Sequence, residues 1–290
     1  MDTRFWGPPA WVMLHTIAQG FQPEEATAFR VFYSNLRNVL PCVYCRNSFA
    51  DFLVQCPVRT ESREDFNRWL YEIHNLVNNK LRKQGLIHWD DPPFHEVDAR
   101  YRAVYNGLDS CKYTKKSHGK SEENPNDVMG WKFLYCLAFN YPEKVPALEK
   151  VHGYVVFFRM LGRILPKTYG SIYQSYILQY PIQKYMGCRE DMKQWMYRLE
   201  KVMDHHFSIQ CKEFNEIEDE IEKYRSGCGN AKGPHKDKMP TCRMKSADTI
   251  AKIKQPLRKT RKTRGTRDAR KTRTAPKTSH SRNSRKHKTM

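Results

Sequence analysis

The chain has 290 residues, with 51 Lys or Arg against 31 Asp or Glu and a formal net charge of +20. Its 16 Tyr, 14 Phe and 6 Trp are enough for aromatic-rich cores, so the length accommodates two domains and a tail. No run of eighteen apolar residues occurs, which excludes a membrane-spanning helix; Trp6 and Trp11 already belong to the fold, so the expectation is a soluble protein made in the cytosol without a signal peptide.

Helical periodicity dominates and strand alternation is nearly absent. The pattern predicts helices over about 9–20, 24–40, 42–55, 63–84 and 95–106, broken near Pro23, Pro41, Pro57 and the Pro92-Pro93 pair. Four longer helices and a short fifth make an all-α bundle over residues 1–110. In the first helix Trp11 and His15 are four apart and share a face. The third opens on LPCVYC, and two thiols at Cys42 and Cys45 can close and reopen a disulfide ring. Pro41 suits a helix start, which puts both cysteines in a first turn where the dipole favours thiolate, with Cys42 as the more reactive, outer sulfur. A bare Cys-x-x-Cys also suits half a zinc site. No second such pair or close His pair follows at finger spacing, and Cys56 and His74 would have to complete the site by coincidence, so the redox reading leads.

On the fourth helix Tyr71, His74, Asn75 and Asn78 fall within about a third of the circumference, while Trp69, Ile73, Leu76 and Val77 cover another stretch. Amides and an imidazole suit a purine, ribose or pyrophosphate, and Lys80 and Lys83 can offset phosphate charge. Taken singly, each of these residues is better explained by the core or by solvent; only their joint spacing favours a site.

Three motifs in order, Gly7 with Trp11-x-x-Leu14-His15-x-x-Ala18, then Pro41-Cys42-x-x-Cys45, then Trp69 with His74-Asn75-x-Val77-Asn78-x-Lys80-Leu81, resemble the FAD-linked sulfhydryl oxidases of the Erv/ALR family, especially those of large DNA viruses. The resemblance covers roughly residues 5 to 105. It implies FAD held in a helical bundle, with Gly7, Trp11, His15, Cys45, His74, Asn75, Asn78, Lys80, Lys83 and Tyr101 as cofactor-binding residues and Cys42 and Cys45 as the catalytic pair. It further implies thiol-containing protein substrates, with electrons passing from Cys45, the sulfur nearer the flavin, through FAD to molecular oxygen to give hydrogen peroxide. A viral factory or virion is the location it suggests, and because such bundles commonly pair through helical faces, a homodimer is one expected assembly and an internal pseudo-dimer the other, should the second half described below be a copy of the first. Two departures stand out. The family's structural disulfide has Cys56 at its first position but Tyr71 at its second, so Cys56 is free or differently paired. The family's segment around the last helix survives as Phe94, Val97, Asp98, Arg100 and Tyr101, with Tyr101 as the aromatic that would cover the flavin.

Residues 111–127 are polar and read as a linker. Residues 131–207, within a second helical domain at 128–228, look like a worn copy of 11–80. Trp131, Leu134, Tyr135, Ala138 and Tyr141 align with Trp11, Leu14, His15, Ala18 and Phe21; Leu165 and Pro166 with Leu40 and Pro41; Trp195, Tyr197, Glu200, Lys201 and Asp204 with Trp69, Tyr71, His74, Asn75 and Asn78. Lys167 and Gly170 stand at the two cysteine positions, so the copy is expected to bind no flavin; chance similarity between aromatic-rich helices is the alternative. Cys111, Cys136, Cys188 and Cys211 read as packing residues, whereas Cys228 and Cys242 flank a Gly- and Pro-containing stretch that would suit an electron shuttle. In the tail, 229–290, residues 251–290 hold 16 Lys or Arg against the single acid Asp268 and no Phe, Trp, Tyr, Val or Cys. That composition predicts disorder and binding to nucleic acid or another polyanion. A rival reading of the whole chain is a non-enzymatic nucleic-acid or virion-packaging protein with zinc on the Cys pair.

Overall fold

A computed structural model describes residues 1–108, 128–144 and 147–225; the linker, Cys111, Cys228, Cys242 and the basic tail lie outside the described residues. Among these residues all regular structure is helical. The first half runs α1 (Thr3–Gln19), a 3-10 turn (Pro23–Glu25), α2 (Ala26–Val39), α3 (Val43–Gln55), α4 (Arg63–Lys83) and α5 (Phe94–Gly107). The second runs α6 (Trp131–Phe139), α7 (Leu148–Ile164), α8 (Lys167–Gln179), a 3-10 turn (Ile182–Tyr185), α9 (Arg189–His206) and α10 (Phe214–Lys223).

Two elements differ from expectation. Helix α1 starts six residues early, because Asp2 caps it by accepting a hydrogen bond from the Arg4 amide at 2.9 Å, and Pro8 and Pro9 sit inside it rather than before it. Helix α5, expected to be short, has 14 residues, the same as α2.

Helix α4 carries the clearest local code. Ser62 accepts from the Asp65 amide at 3.1 Å, Glu64 and Asp65 lie in the first turn and Lys80, Arg82 and Lys83 in the last, matching the helix dipole at both ends. It stops at Gly85, whose φ of +67° is left-handed. The Gly85 amide then donates to Arg82 O at 2.9 Å and the Leu86 amide to Leu81 O at 3.0 Å, which closes the C-terminus.

Helix α2 is buried at Ala28, Phe29, Phe32, Tyr33, Asn35, Leu36 and Val39. A band that wide needs neighbours on two sides. On one side stand α1, α3 and α4, with Tyr33 donating to Leu14 O at 2.6 Å and meeting Trp69 edge to face at 5.8 Å. On the other lies α7, where Phe32 stacks on Phe157 at 4.8 Å. Helix α6 likewise packs on α1, with Phe133 against Trp6 at 5.7 Å. One continuous apolar core therefore runs through both halves.

Replacing Gly85 by Ala should cost about 1–2 kcal/mol, the penalty of a left-handed L-residue. Chemical denaturation should show it as a lower midpoint at unchanged slope; an unchanged midpoint would mean the turn tolerates a side chain.

Candidate functional site

Four rings from three helices meet at the centre of the first half. Trp11 of α1 stacks on His74 of α4, centroids 3.9 Å apart and 13° from parallel. His15, one turn along α1, stacks on Tyr101 of α5 at 4.7 Å and 11°. The imidazoles meet through His15 Nε2 and His74 Nδ1 at 3.1 Å, so one nitrogen donates and the other accepts. Both rings are held neutral. Burial pushes the His15 pKa well below its ordinary value, with the facing His74 and nearby Arg100 adding to the effect. Burial likewise brings His74 down to about 4 against a weaker upward pull from Asp91.

Polar groups fix this cluster to its helices. Gln19 donates to Asn67 Oδ1 and to Asp98 Oδ1, both at 3.0 Å, tying α1 to α4 and α5. Asn78 donates to Asp91 at 2.6 Å and Arg82 grips the same carboxylate with both terminal nitrogens. Burial raises the Asp91 carboxyl, but the hydrogen bonds from Arg82 and Asn78 outweigh it and hold the group below the usual carboxylate value. Lys80 reaches across to Ser48 Oγ on α3. Asn75 is half-buried on α4 and Lys83 is exposed in its last turn.

The cysteine pair differs from expectation in one respect. Helix α3 begins at Val43, so Cys42 is the capping residue and Cys45 the third residue of the helix. Cys42 turns into the core and is 2% exposed, whereas Cys45 is half-buried. Cys42 is therefore not the outer sulfur of this arrangement. Ser48 lies three residues beyond Cys45 on the same side of α3, so the Lys80 contact orients that side toward α4.

The surroundings fit a flat, phosphate-bearing cofactor. Tyr44, Cys45, Phe52 and Leu53 on α3 and Asn75, Leu76, Val77 and Asn78 on α4 are only partly covered. A Cβ built on Gly7 would meet nothing within 4 Å, so α1 also leaves room there. Rings, amides and ammonium groups are the donor set that a dinucleotide requires.

Tyr71, placed on the polar face by its spacing, does other work: its hydroxyl donates to Pro92 O at 2.9 Å and its ring packs on Phe94, anchoring α5. Cys56 lies among partly buried groups with Sγ 3.5 Å from Glu72 Oε2, and burial and that carboxylate raise its pKa. Among the described residues no three His, Cys, Asp or Glu side chains gather as a metal-holding group.

The pattern describing the Erv1 / Alr family matches residues 8–102. A probable FAD-linked sulfhydryl oxidase of Acanthamoeba polyphaga mimivirus is 34% identical over 95 residues, which is 30% of this chain and 66% of that protein. The mitochondrial FAD-linked sulfhydryl oxidase of Saccharomyces cerevisiae is 33% identical over 86 residues, 28% of this chain and 46% of that protein. An FAD-linked sulfhydryl oxidase of African swine fever virus is 34% identical over 92 residues, 30% of this chain and 75% of that protein. The chain belongs to the Erv1/Alr family. The first two of these relatives are matched over less than two thirds of their own length. No solved structure gives a significant match. No helix among the described residues is long and apolar enough to cross a membrane.

Within the Erv1/Alr segment, reading the sequence missed Asp91, Arg82, Ser48 and the Gln19–Asn67 pair. Asp91 had a weak signal, an acid directly before the Pro92-Pro93 break; a serine or glutamine in an ordinary helix has none.

Because the folded state depresses both imidazoles, the unfolded chain binds protons first as the pH falls. The stability they contribute is complete above about pH 6.5 and is lost as the pH drops toward 4. Melting temperatures of wild type and His74→Gln should differ in slope over that interval, with the variant flatter by up to about 1.4 kcal/mol per pH unit. Parallel curves would show that His74 is not buried in its neutral form.

Proposed function

We propose that the chain is an FAD-dependent thiol oxidase that makes disulfide bonds in protein substrates. The observation that carries this reading is the joining of α3, which starts at the Cys-x-x-Cys, to the ring-lined strip of α4 within the family segment. Gly7, Trp11, His15, Tyr101, His74, Asn75 and Asn78 would line the cofactor, and Lys80 and Lys83 would offset its phosphates. FAD, when bound, supplies an acceptor for two electrons that molecular oxygen restores, giving hydrogen peroxide.

The chain's own residues do the rest. A substrate thiolate attacks one sulfur of the Cys42–Cys45 disulfide, forming a mixed disulfide and releasing the other sulfur as thiolate. The second substrate thiolate then displaces the enzyme sulfur, so the substrate leaves oxidised and the pair keeps two electrons as thiols. Cys45, on the side of α3 turned toward α4, hands those electrons on. The neutral imidazoles keep a positive charge out of the ring cluster, while the Arg82–Asp91–Asn78 set holds the C-terminal half of α4 in place.

The viral relatives support a viral factory or virion as the place of action. Residues 251–290 suit binding to nucleic acid or another polyanion through phosphate charge alone, an affinity that falls steeply with salt. Their removal should leave turnover on small thiols unchanged.

The purified full chain should be yellow, bleach with dithiothreitol without air and regain its colour in air. Cys45→Ser should keep the colour and lower thiol oxidation by more than about a hundredfold. A colourless protein holding stoichiometric zinc would replace this reading with the packaging protein.

A further inference from the structure

We propose that residues 131–225 are a degenerate second copy of the first bundle, docked on it about a twofold-like axis, so that one chain is its own two-part assembly with a single dinucleotide site. The helices follow in the same order, α6 to α10 repeating α1 to α5. Similar order alone would be weak, since many bundles share it.

Buried hydrogen bonds repeat in register. The Trp69 indole donates to Cys56 O and the Trp195 indole to Tyr180 O, each at 2.9 Å. The Tyr71 hydroxyl donates to Pro92 O and the Tyr197 hydroxyl to Lys212 O. Ring pairs repeat too: Phe21–Phe29 at 5.1 Å and Tyr141–Tyr154 at 4.9 Å, both edge to face, and Tyr71–Phe94 at 5.5 Å against Tyr197–Phe214 at 5.3 Å. Unrelated bundles have no reason to share such pairs in the same order along the chain, at offsets that stay between 120 and 126.

The contact between the halves has the form of an isologous interface, in which each element meets its own counterpart. Helix α1 packs on α6 and α2 on α7. At the centre Phe32 stacks on Phe157, its counterpart 125 positions on, at 4.8 Å. The surface on which a second bundle would dock is thus covered from within the chain.

The second site has lost its chemistry in place. The His15–His74 contact is replaced by Tyr135 donating to Glu200 at 2.5 Å. The Gln19–Asn67–Asp98 set becomes Phe139, Lys193 and Glu218, with Lys193 paired to Glu218 and lying 4.8 Å over the Phe139 ring. Asp204 stands at the Asn78 position, so carboxylates occupy what would be the phosphate-bearing ligand's surroundings. At Gly170, the counterpart of Cys45, a Cβ would come within 3.1 Å of Leu165 O, so a side chain there would need the backbone to give by a few tenths of an ångström.

This inference assumes the flavin reading for the first half, and its test separates the two. Light scattering on the full chain, with flavin and protein counted in the same sample, should give the mass of one chain and one flavin per chain. Tyr135→Phe and Glu200→Gln should leave that ratio unchanged. A two-chain assembly, two flavins per chain, or a flavin content that falls in either variant would overturn the inference. A single-chain mass without any flavin would sustain the fused assembly and defeat the oxidase reading instead.

Discussion

Helix α2 is the member on which both halves depend, because it is apolar on two sides and holds a buried amide that must find a partner. Asn35 is 7% exposed and its Nδ2 donates to Gly153 O of α7 at 2.7 Å, while Asn38 donates to Asn35 Oδ1 at 2.7 Å. Leaving that amide buried without partners would cost about 1–3 kcal/mol, so α7 satisfies α2 as well as covering it. The approach is close enough that a Cβ on Gly153 would meet Asn38 Cβ at 3.1 Å. From this fixed helix the chain leaves through Leu40, extended as the residue before a proline tends to be, and passes Pro41 into Cys42. The burial of Cys42 is therefore a consequence of where α2 ends.

The ring cluster obeys a different constraint. Its imidazoles face each other, so a charge on either would be both buried and opposed by its neighbour, and burial is the main cause that holds them neutral. Burial in turn needs α1, α4 and α5 held at fixed distances, which is the work of Gln19, Asn67 and Asp98. Polar residues outside the cluster thus determine the charge state of residues inside it.

Most of the bundle could be read from the chain. Periodicity and the proline breaks place α4 at 63–84 against the observed Arg63–Lys83, and the rings of Trp11, His15 and His74, named together from their spacing, do meet. What escaped has identifiable causes. The start of α1 was misplaced because two prolines inside a helix normally mark its beginning, and the Asp2 cap outweighs them. Spacing puts Tyr71 on the polar face of α4, since a helical wheel shows direction but not which neighbour waits there; Phe94 and the Pro92 carbonyl do. The order of the two sulfurs depends on a one-residue shift in where α3 begins, finer than any periodicity resolves.

Comparison of the two halves shows which residues the fold itself requires. Both tryptophans at the heart of α4 and α9 keep their indole hydrogen bond and an edge-to-face neighbour, Tyr33 in one half and Phe158 in the other. Tyr33 has a hydroxyl that reaches Leu14 O and Phe158 has none, yet both rings meet their tryptophan edge to face. The ring was needed and the hydroxyl was not. At the positions that align with His15, His74 and the cysteines, the second half has Tyr135 in its core, Glu200 partly buried, Lys167 exposed and Gly170 buried. If the second half is a copy of the first, an all-helical core forms there without those groups, and folding alone would not explain their presence in the first half.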